Sequence, residues 1–345
     1  METFLMYFLF AVGIVLIVKG GDWFVDGAVW VAEITGIPKF IIGATIISVA
    51  TTLPEIIIST IAAVDGHAIL MSGAAACIAA SQDKVGMAIG NGIGSVVCNT
   101  AMILAISIIF MPIAINKKDF APKSVLLIAA VTALFLLSLG GSLTLAGAIV
   151  LLLIFALYIA ENIRYAKSDT SDNAEERPSK DRKSVIKNIA LVVLGAAGIV
   201  IGSQLLVNNG SKIASSWGVS ETIIGVMIVA IGTSLPEFVT AITAIIKKQS
   251  SVSVGNVIGA NVIDTTLILA VCSFVYGGKL PVSAQNIYLD FPMAIAVSLI
   301  ALVPTIFKGR FSRWQGIVML VMYIAYLIVV TTALPSYLAL FGAAA

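Results

Sequence analysis

Charge is scarce in this chain. Asp, Glu, Lys and Arg make up only 11% of its 345 residues, against 59% apolar ones, and apolar runs recur near the about 20 residues that a bilayer-spanning helix needs. A soluble protein is excluded, and the chain is read as an integral membrane protein with the lipid bilayer as its surroundings. Cysteine is sparse too: Cys77, Cys98 and Cys272 stand in apolar context without paired spacing. That excludes a disulfide framework or a thiolate metal centre and leaves small buried thiols. A single histidine, His67, gives no imidazole cluster for a soft transition metal. No G-x-x-x-x-G-K-[ST] sequence occurs, which argues against an ATP-driven pump. The N-terminus carries Glu2 in place of a basic region and shows no small-residue cleavage site before Lys19, so it reads as a retained first helix. No enzymatic activity, cofactor or nucleic-acid partner is expected, and the expected state is a monomer.

What the chain does have is ten apolar runs, roughly 3–32, 40–64, 84–112, 122–139, 143–163, 186–214, 222–246, 252–277, 287–306 and 314–334. The expected fold class is an all-α integral membrane protein of ten transmembrane helices. With alternating spans, one side collects Lys39, then Lys117, Lys118 and Lys123, then the basic residues from Arg164 to Lys187, then Lys247 and Lys248, then Lys308, Arg310 and Arg313. The other side has Lys84, Lys212 and Lys279, and Lys19 lies inside the first run. The positive-inside rule then predicts a cell (plasma or inner) membrane protein with both termini extracytoplasmic.

The stretch "SVATTLPE", Ser48 to Glu55, interrupts such a run with hydroxyls, a proline and a carboxylate. It recurs as "AIGTSLPE", Ala230 to Glu237, at an offset of 182 that also pairs Gly20 with Gly202, Gly36 with Gly218 and Gly43 with Gly225. A second pair, "GNGIGSVVCNT" from Gly90 and "GNVIGANVIDT" from Gly255, matches at an offset of 165 and sets Asn99 against Asp264. The first half therefore carries about 17 extra residues, within 65–84. Five spans per copy is odd, so the second copy is expected to enter the membrane inverted, the pattern of alternating-access transporters. Residues 1–163 form the first five-helix repeat, 164–185 a solvated cytoplasmic linker of mixed charge, and 186–345 the second repeat.

The chemistry points to a cation. A proline inside a helix removes a hydrogen bond and displaces the carbonyl four residues back, so Pro54 should free Ala50 and Pro236 should free Gly232. Residues four apart share a helix face, which aligns Thr51 with Glu55, Thr233 with Glu237, and Ser95 with Asn99, while Asp264 stands four after Ala260. Each buried carboxylate costs about 2.5–3.5 kcal/mol at a helix centre, and no Lys or Arg lies in the interior of these four runs. A bound cation is the expected compensation. The ligands are all oxygens, which suits a hard ion, and an irregular cage with several carboxylates suits Ca²⁺ better than Mg²⁺. Asp22 and Asp26 fall outside this set and are expected in pairing roles, with Lys19 three residues from Asp22.

These motifs resemble the alpha-repeats of the cation/Ca²⁺ antiporter superfamily, specifically its Na⁺/Ca²⁺ exchanger branch, and the likeness spans nearly the whole chain. The resemblance implies a secondary antiporter of two inverted five-helix repeats that exchanges Na⁺ for Ca²⁺ by alternating access. It also implies a central Ca²⁺ site of Glu55 and Glu237 with backbone oxygens of Thr51 and Thr233. Flanking Na⁺ sites would use the Ser48 and Ala230 carbonyls with Thr52, Ser95 and Ser234, and Asn99 and Asp264 would complete the centre. Ala50 stands where the family usually has glycine, and Ala260 where it usually has a hydroxyl matching Ser95. An H⁺/Ca²⁺ antiporter is the alternative reading; a passive cation channel fits less well, since pores are more naturally ringed by identical residues.

Overall fold

The computed structural model describes residues 2–72, 77–111, 113–169, 181–217 and 230–342. The chain is an all-α membrane protein. Among the described residues nine helices are long and apolar enough to cross a bilayer; expected span two is divided between the shorter Lys39–Thr51 and one of the nine, Leu53–Met71, and the shorter Leu235–Ile246 holds the end of expected span seven. In order the elements are α1 (Glu2–Thr35), α2 (Lys39–Thr51), α3 (Leu53–Met71), α4 (Cys77–Cys98, continuing through a π turn at Asn99–Leu104 to Phe110), α5 (Lys117–Ser138), β1 (Ser142–Thr144), α6 (Leu145–Asp169), α7 (Arg182–Ser216), α8 (Ala230–Thr233), α9 (Leu235–Ile246), α10 (Ser250–Val275, with a π turn at Ile263–Ile268), β2 (Lys279–Pro281), α11 (Asn286–Lys308) and α12 (Arg313–Ala339). Residues 222–229 of span seven, with Gly218 and Gly225, lie outside the described residues.

Packing divides the chain into two compact units that do not follow the sequence halves. Unit 1 holds Met1–Thr52 and Asn162–Ala260, and unit 2 holds Leu53–Glu161 and Asn261–Ala345. Unit 1 is built on α1 and α7, of 34 and 35 residues. At about 1.5 Å per residue each exceeds 50 Å, against a hydrocarbon core of about 30 Å, so each must tilt or project beyond it. Glycines let the two backbones touch: a Cβ on Gly20 would lie 2.8 Å from the Gly195 oxygen, and one on Gly195 would lie 2.5 Å from the Phe24 nitrogen. In a bilayer, where lipid is as apolar as leucine, such close approach drives helix pairing. Phe24, Ala28, Ile47, Ile199 and Ala244 form the core beside it.

In unit 2, β1 pairs antiparallel with β2, Leu143 opposite Leu280, and Phe120 meets Phe311 edge-on at 5.5 Å between ring centres. Ser312 and Gln315 form a reciprocal capping box that starts α12, satisfying two amide groups that the helix would leave bare.

One expectation changes. The charged linker is shorter than 164–185: Arg164–Asp169 continue α6 and Arg182 opens α7, with Asp181 as N-cap, while 170–180 lie outside the described residues. Arg164, Lys167, Arg182 and Lys183 on these helix extensions are exposed, and a long charged side chain is solvated as readily from a helix as from a loop. The expansion at 65–84 lengthens α3 and α4, with 73–76 outside the described residues. Its polar groups close on α10: His67 Nδ1 lies 2.9 Å from the Tyr276 carbonyl, and Ser81 Oγ lies 2.7 Å from the Gly66 carbonyl and 2.9 Å from the Tyr276 hydroxyl.

Candidate ion site

The two LPE motifs interrupt their spans in the same way. The chain leaves helix at Thr52, with φ −85° and ψ 0°, and at Ser234, with φ −87° and ψ 8°. These positions are 182 residues apart, so the duplicated sequence carries a duplicated backbone break. The prolines do not kink continuous helices as expected. Each occupies the first turn of a new helix, where its missing N–H costs nothing. Each break is thus a helix C-terminus facing a helix N-terminus, and Glu55 and Glu237 stand in the first turns of α3 and α9. A helix N-terminus favours a carboxylate, and a helix C-terminus favours a cation.

In unit 1, Ser48, Thr51, Thr52, Ser234 and Glu237 are all buried, Glu237 at 1% exposure. The Thr52 hydroxyl lies 2.6 Å from the Ser48 carbonyl and 3.2 Å from Glu237 Oε1. The Thr51 hydroxyl lies 3.3 Å from the Ser48 carbonyl and 3.2 Å from Asn256 Oδ1. Glu237 Oε2 has no hydrogen-bond partner among the described residues. A carboxylate inside a bilayer with one oxygen unanswered is costly, and a cation answers it. Thr233 is half-buried, and Ala230 begins α8.

In unit 2, Glu55, Asn99 and Asp264 are buried, and so is Ser95. Asn91 Nδ2 donates to the Ser59 hydroxyl at 2.9 Å and lies 3.4 Å from the Glu55 carbonyl, tying α4 to the first turns of α3. Asn99 and Asp264 each fall in a π turn, a widening of the backbone ladder common at functional sites. Each turn is met by the helix that carries the other: a Cβ on Gly92 would lie 3.3 Å from the Asp264 carbonyl, and Asn261 Nδ2 donates to the Thr100 hydroxyl at 2.7 Å. The Asn99 amide, at 1% exposure, has no hydrogen-bond partner on either atom among the described residues.

Three amides were missed as site components: Asn91, Asn256 and Asn261. The signal was present for two of them, since 91, 95 and 99, like 256, 260 and 264, repeat every four residues and share a face. Among the described residues, no three His, Cys, Asp or Glu side chains form a metal cluster of their own, so hydroxyl, amide and carbonyl oxygens supply much of the polarity. Outside the site, Asp26 Oδ1 lies 2.7 Å and Asp22 Oδ1 3.5 Å from Lys247 Nζ; their partner is Lys247, not Lys19.

The profile of the family described as sodium/calcium exchanger protein matches residues 5–163 and 187–332. The chain belongs to this family. The membrane protein MJ0091 of Methanocaldococcus jannaschii is 33% identical over 91% of this chain and 94% of its own length. The sodium/calcium exchanger MaX1 of Methanosarcina acetivorans is 27% identical, with 94% and 97% covered. The solved structure of the sodium-calcium exchanger NCX_Mj soaked with Na⁺ and Sr²⁺ superimposes with a TM-score of 0.78 at 28% identity, covering 96% of this chain and 99% of that one. The family is one of transporters, and the duplicated LPE breaks lie inside the matched residues.

Thr52→Val keeps shape but removes the hydroxyl beside Glu237. Hydrogen bonds to charged groups contribute about 1.5–3 kcal/mol, so the ion-free protein should unfold at lower temperature in detergent. An unchanged melting temperature would mean the hydroxyl serves only the Ser48 carbonyl.

Proposed function

We propose that this protein is a secondary antiporter that exchanges Na⁺ for Ca²⁺ across a cell membrane by alternating access. The observation that carries the reading is Glu237: a buried carboxylate in the first turn after a break, with Oε2 unanswered among the described residues. Glu55 and Glu237 with the Thr51 and Thr233 carbonyls are the proposed Ca²⁺ ligands. Thr52, Ser95 and Ser234, with the carbonyls of Ser48 and Ala230, are the proposed Na⁺ ligands, and Asn99 and Asp264 complete the set. Hard oxygen ligands suit both ions, and Ca²⁺ accepts about 6–8 of them in irregular geometry. If both ions need the same few carboxylates, occupancy by one weakens the other by the same factor in reverse, and this competition makes the transport an exchange.

We also propose that the two five-helix repeats are inverted, 1–163 against 186–345, and that the positive side lies in the cytoplasm with both termini outside. Supporting this are the offset of 182, the matching breaks at Thr52 and Ser234, and the lysine and arginine bias.

The decisive experiment is radiolabelled Ca²⁺ uptake into proteoliposomes loaded with Na⁺. Uptake should require the outward Na⁺ gradient and saturate with Ca²⁺. Uptake indifferent to Na⁺, or following a pH difference instead, would overturn the reading. Asp264→Asn makes the second motif match Asn99 in the first. It should leave Ca²⁺ uptake measurable but weaken its Na⁺ dependence, by about tenfold in the Na⁺ concentration needed if about 1.4 kcal/mol of charge interaction is lost. Unchanged Na⁺ dependence would make Asp264 a structural group.

A further inference from the structure

One strongly charged surface lies apart from the proposed ion ligands. In unit 2 the turn from α4 to α5 and the turn from α11 to α12 run side by side. Ala114 and Arg310 form an antiparallel bridge, the Ile115 N–H donates to the Gly309 carbonyl at 3.0 Å, and the Phe311 N–H donates to the Ile113 carbonyl at 2.8 Å. Gly309 ends α11 with φ 73°, a left-handed cap that a side chain would strain. This pairing gathers Lys117, Lys118, Lys308, Arg310 and Arg313, all exposed, at one end of α4, α5, α11 and α12.

No ion pair forms at any of the five among the described residues. Asp119 is buried and paired to Lys123, and Glu161 acts on that same lysine. Lys117 Nζ donates to the Phe307 carbonyl at the end of α11, and Lys308 Nζ stands 5.8 Å from the Trp314 ring centre. The N-termini of α5 and α12 open at this end and add partial positive charge. Like charges held together by backbone pairing repel one another unless an anion joins them. Phe110 and Phe307, 78% and 75% exposed, and Trp314 border the patch. An exposed Trp at the end of a spanning helix, as Trp314 is, sits at headgroup depth.

We propose that this paired-turn platform binds the phosphate headgroups of anionic phospholipid in the leaflet that it faces. Charge complementarity selects an anion, and guanidinium forks suit phosphate oxygens. The depth of the patch, set by its exposed aromatic residues, selects lipid over a soluble anion, and basic clusters beside spanning helices attract anionic lipid additively.

The test is native mass spectrometry of the full-length protein taken from vesicles of equal phosphatidylcholine and phosphatidylglycerol. The wild type should retain phosphatidylglycerol at least tenfold over phosphatidylcholine, and equal retention would overturn the proposal without any variant needing to fold. K308Q/R310Q/R313Q should reduce the preference at least tenfold. R182Q/K183Q/K187Q, which removes as much charge from the start of α7, should leave it intact; equal loss in both would reduce the effect to net charge and sink the platform. Displacement by millimolar glycerol phosphate would also overturn it, by showing a site for soluble phosphate.

Discussion

Glu237→Gln and Glu55→Gln are each expected to abolish Na⁺-driven Ca²⁺ uptake while leaving a folded protein. The amide keeps the shape and removes the charge. Breaking a buried ion pair costs about 3–5 kcal/mol, which at about 1.4 kcal/mol per decade weakens Ca²⁺ binding by a hundredfold or more. Folding should survive because the ion-free wild type already bears the cost of a buried carboxylate, about 2.5–3.5 kcal/mol on insertion scales, and the amide relieves it. Thermal unfolding separates the two effects. Wild-type protein should melt at higher temperature as Ca²⁺ is added, since a ligand that binds only the folded state stabilises it. Each variant should melt at or above the ion-free wild-type temperature and not respond to Ca²⁺. Wild-type flux in either variant would defeat the site assignment.

Much of this was legible in the sequence because a bilayer writes long, simple signals. Outside 218–229, helix occupies every expected span, and the motif residues Glu55, Asn99, Glu237 and Asp264 are buried as their spacing implied. The breaks were read one step wrong. The sequence reading placed the prolines inside continuous helices, whereas the chain leaves helix at Thr52 and Ser234 and restarts with proline in the first turn. A span that stops and restarts avoids the clash that a proline in mid-helix would impose. The Lys247 pairing with Asp22 and Asp26 was not legible at all. Local spacing pointed to Lys19, and nothing in a linear pattern reveals a partner more than two hundred residues away. Nor could the sequence show that packing would divide the chain at Thr52 and Ala260, across both halves.

Gly255→Ala is expected to have the second large effect, on stability as well as transport. In unit 1 the first turns of α10 cross α2 with their backbones almost touching. A Cβ on Gly255 would lie 2.2 Å from the Phe40 carbonyl oxygen, one on Gly43 would lie 2.4 Å from the Val252 oxygen, and one on Gly259 would lie 2.5 Å from Ser48 Oγ. Rotating a side chain cannot relieve contact with a backbone oxygen, so α2 itself must move, and α2 carries Ser48 and Thr51. Overpacking typically costs about 1–3 kcal/mol and sometimes more; with the backbone as the obstacle, about 3 kcal/mol is expected. Gly140→Ala is the comparison, because a Cβ there meets nothing within 4 Å among the described residues, and its effect should stay within about 0.5 kcal/mol. Thermal unfolding in detergent and Ca²⁺ uptake measure both variants. Because the displaced helix also holds, at its other end, the Thr51 hydroxyl against Asn256, the folded fraction of Gly255→Ala should also transport poorly. A Gly255→Ala protein as stable and active as wild type would mean that α2 and α10 do not cross as described, and the positions of Ser48 and Thr51 would fall with that crossing.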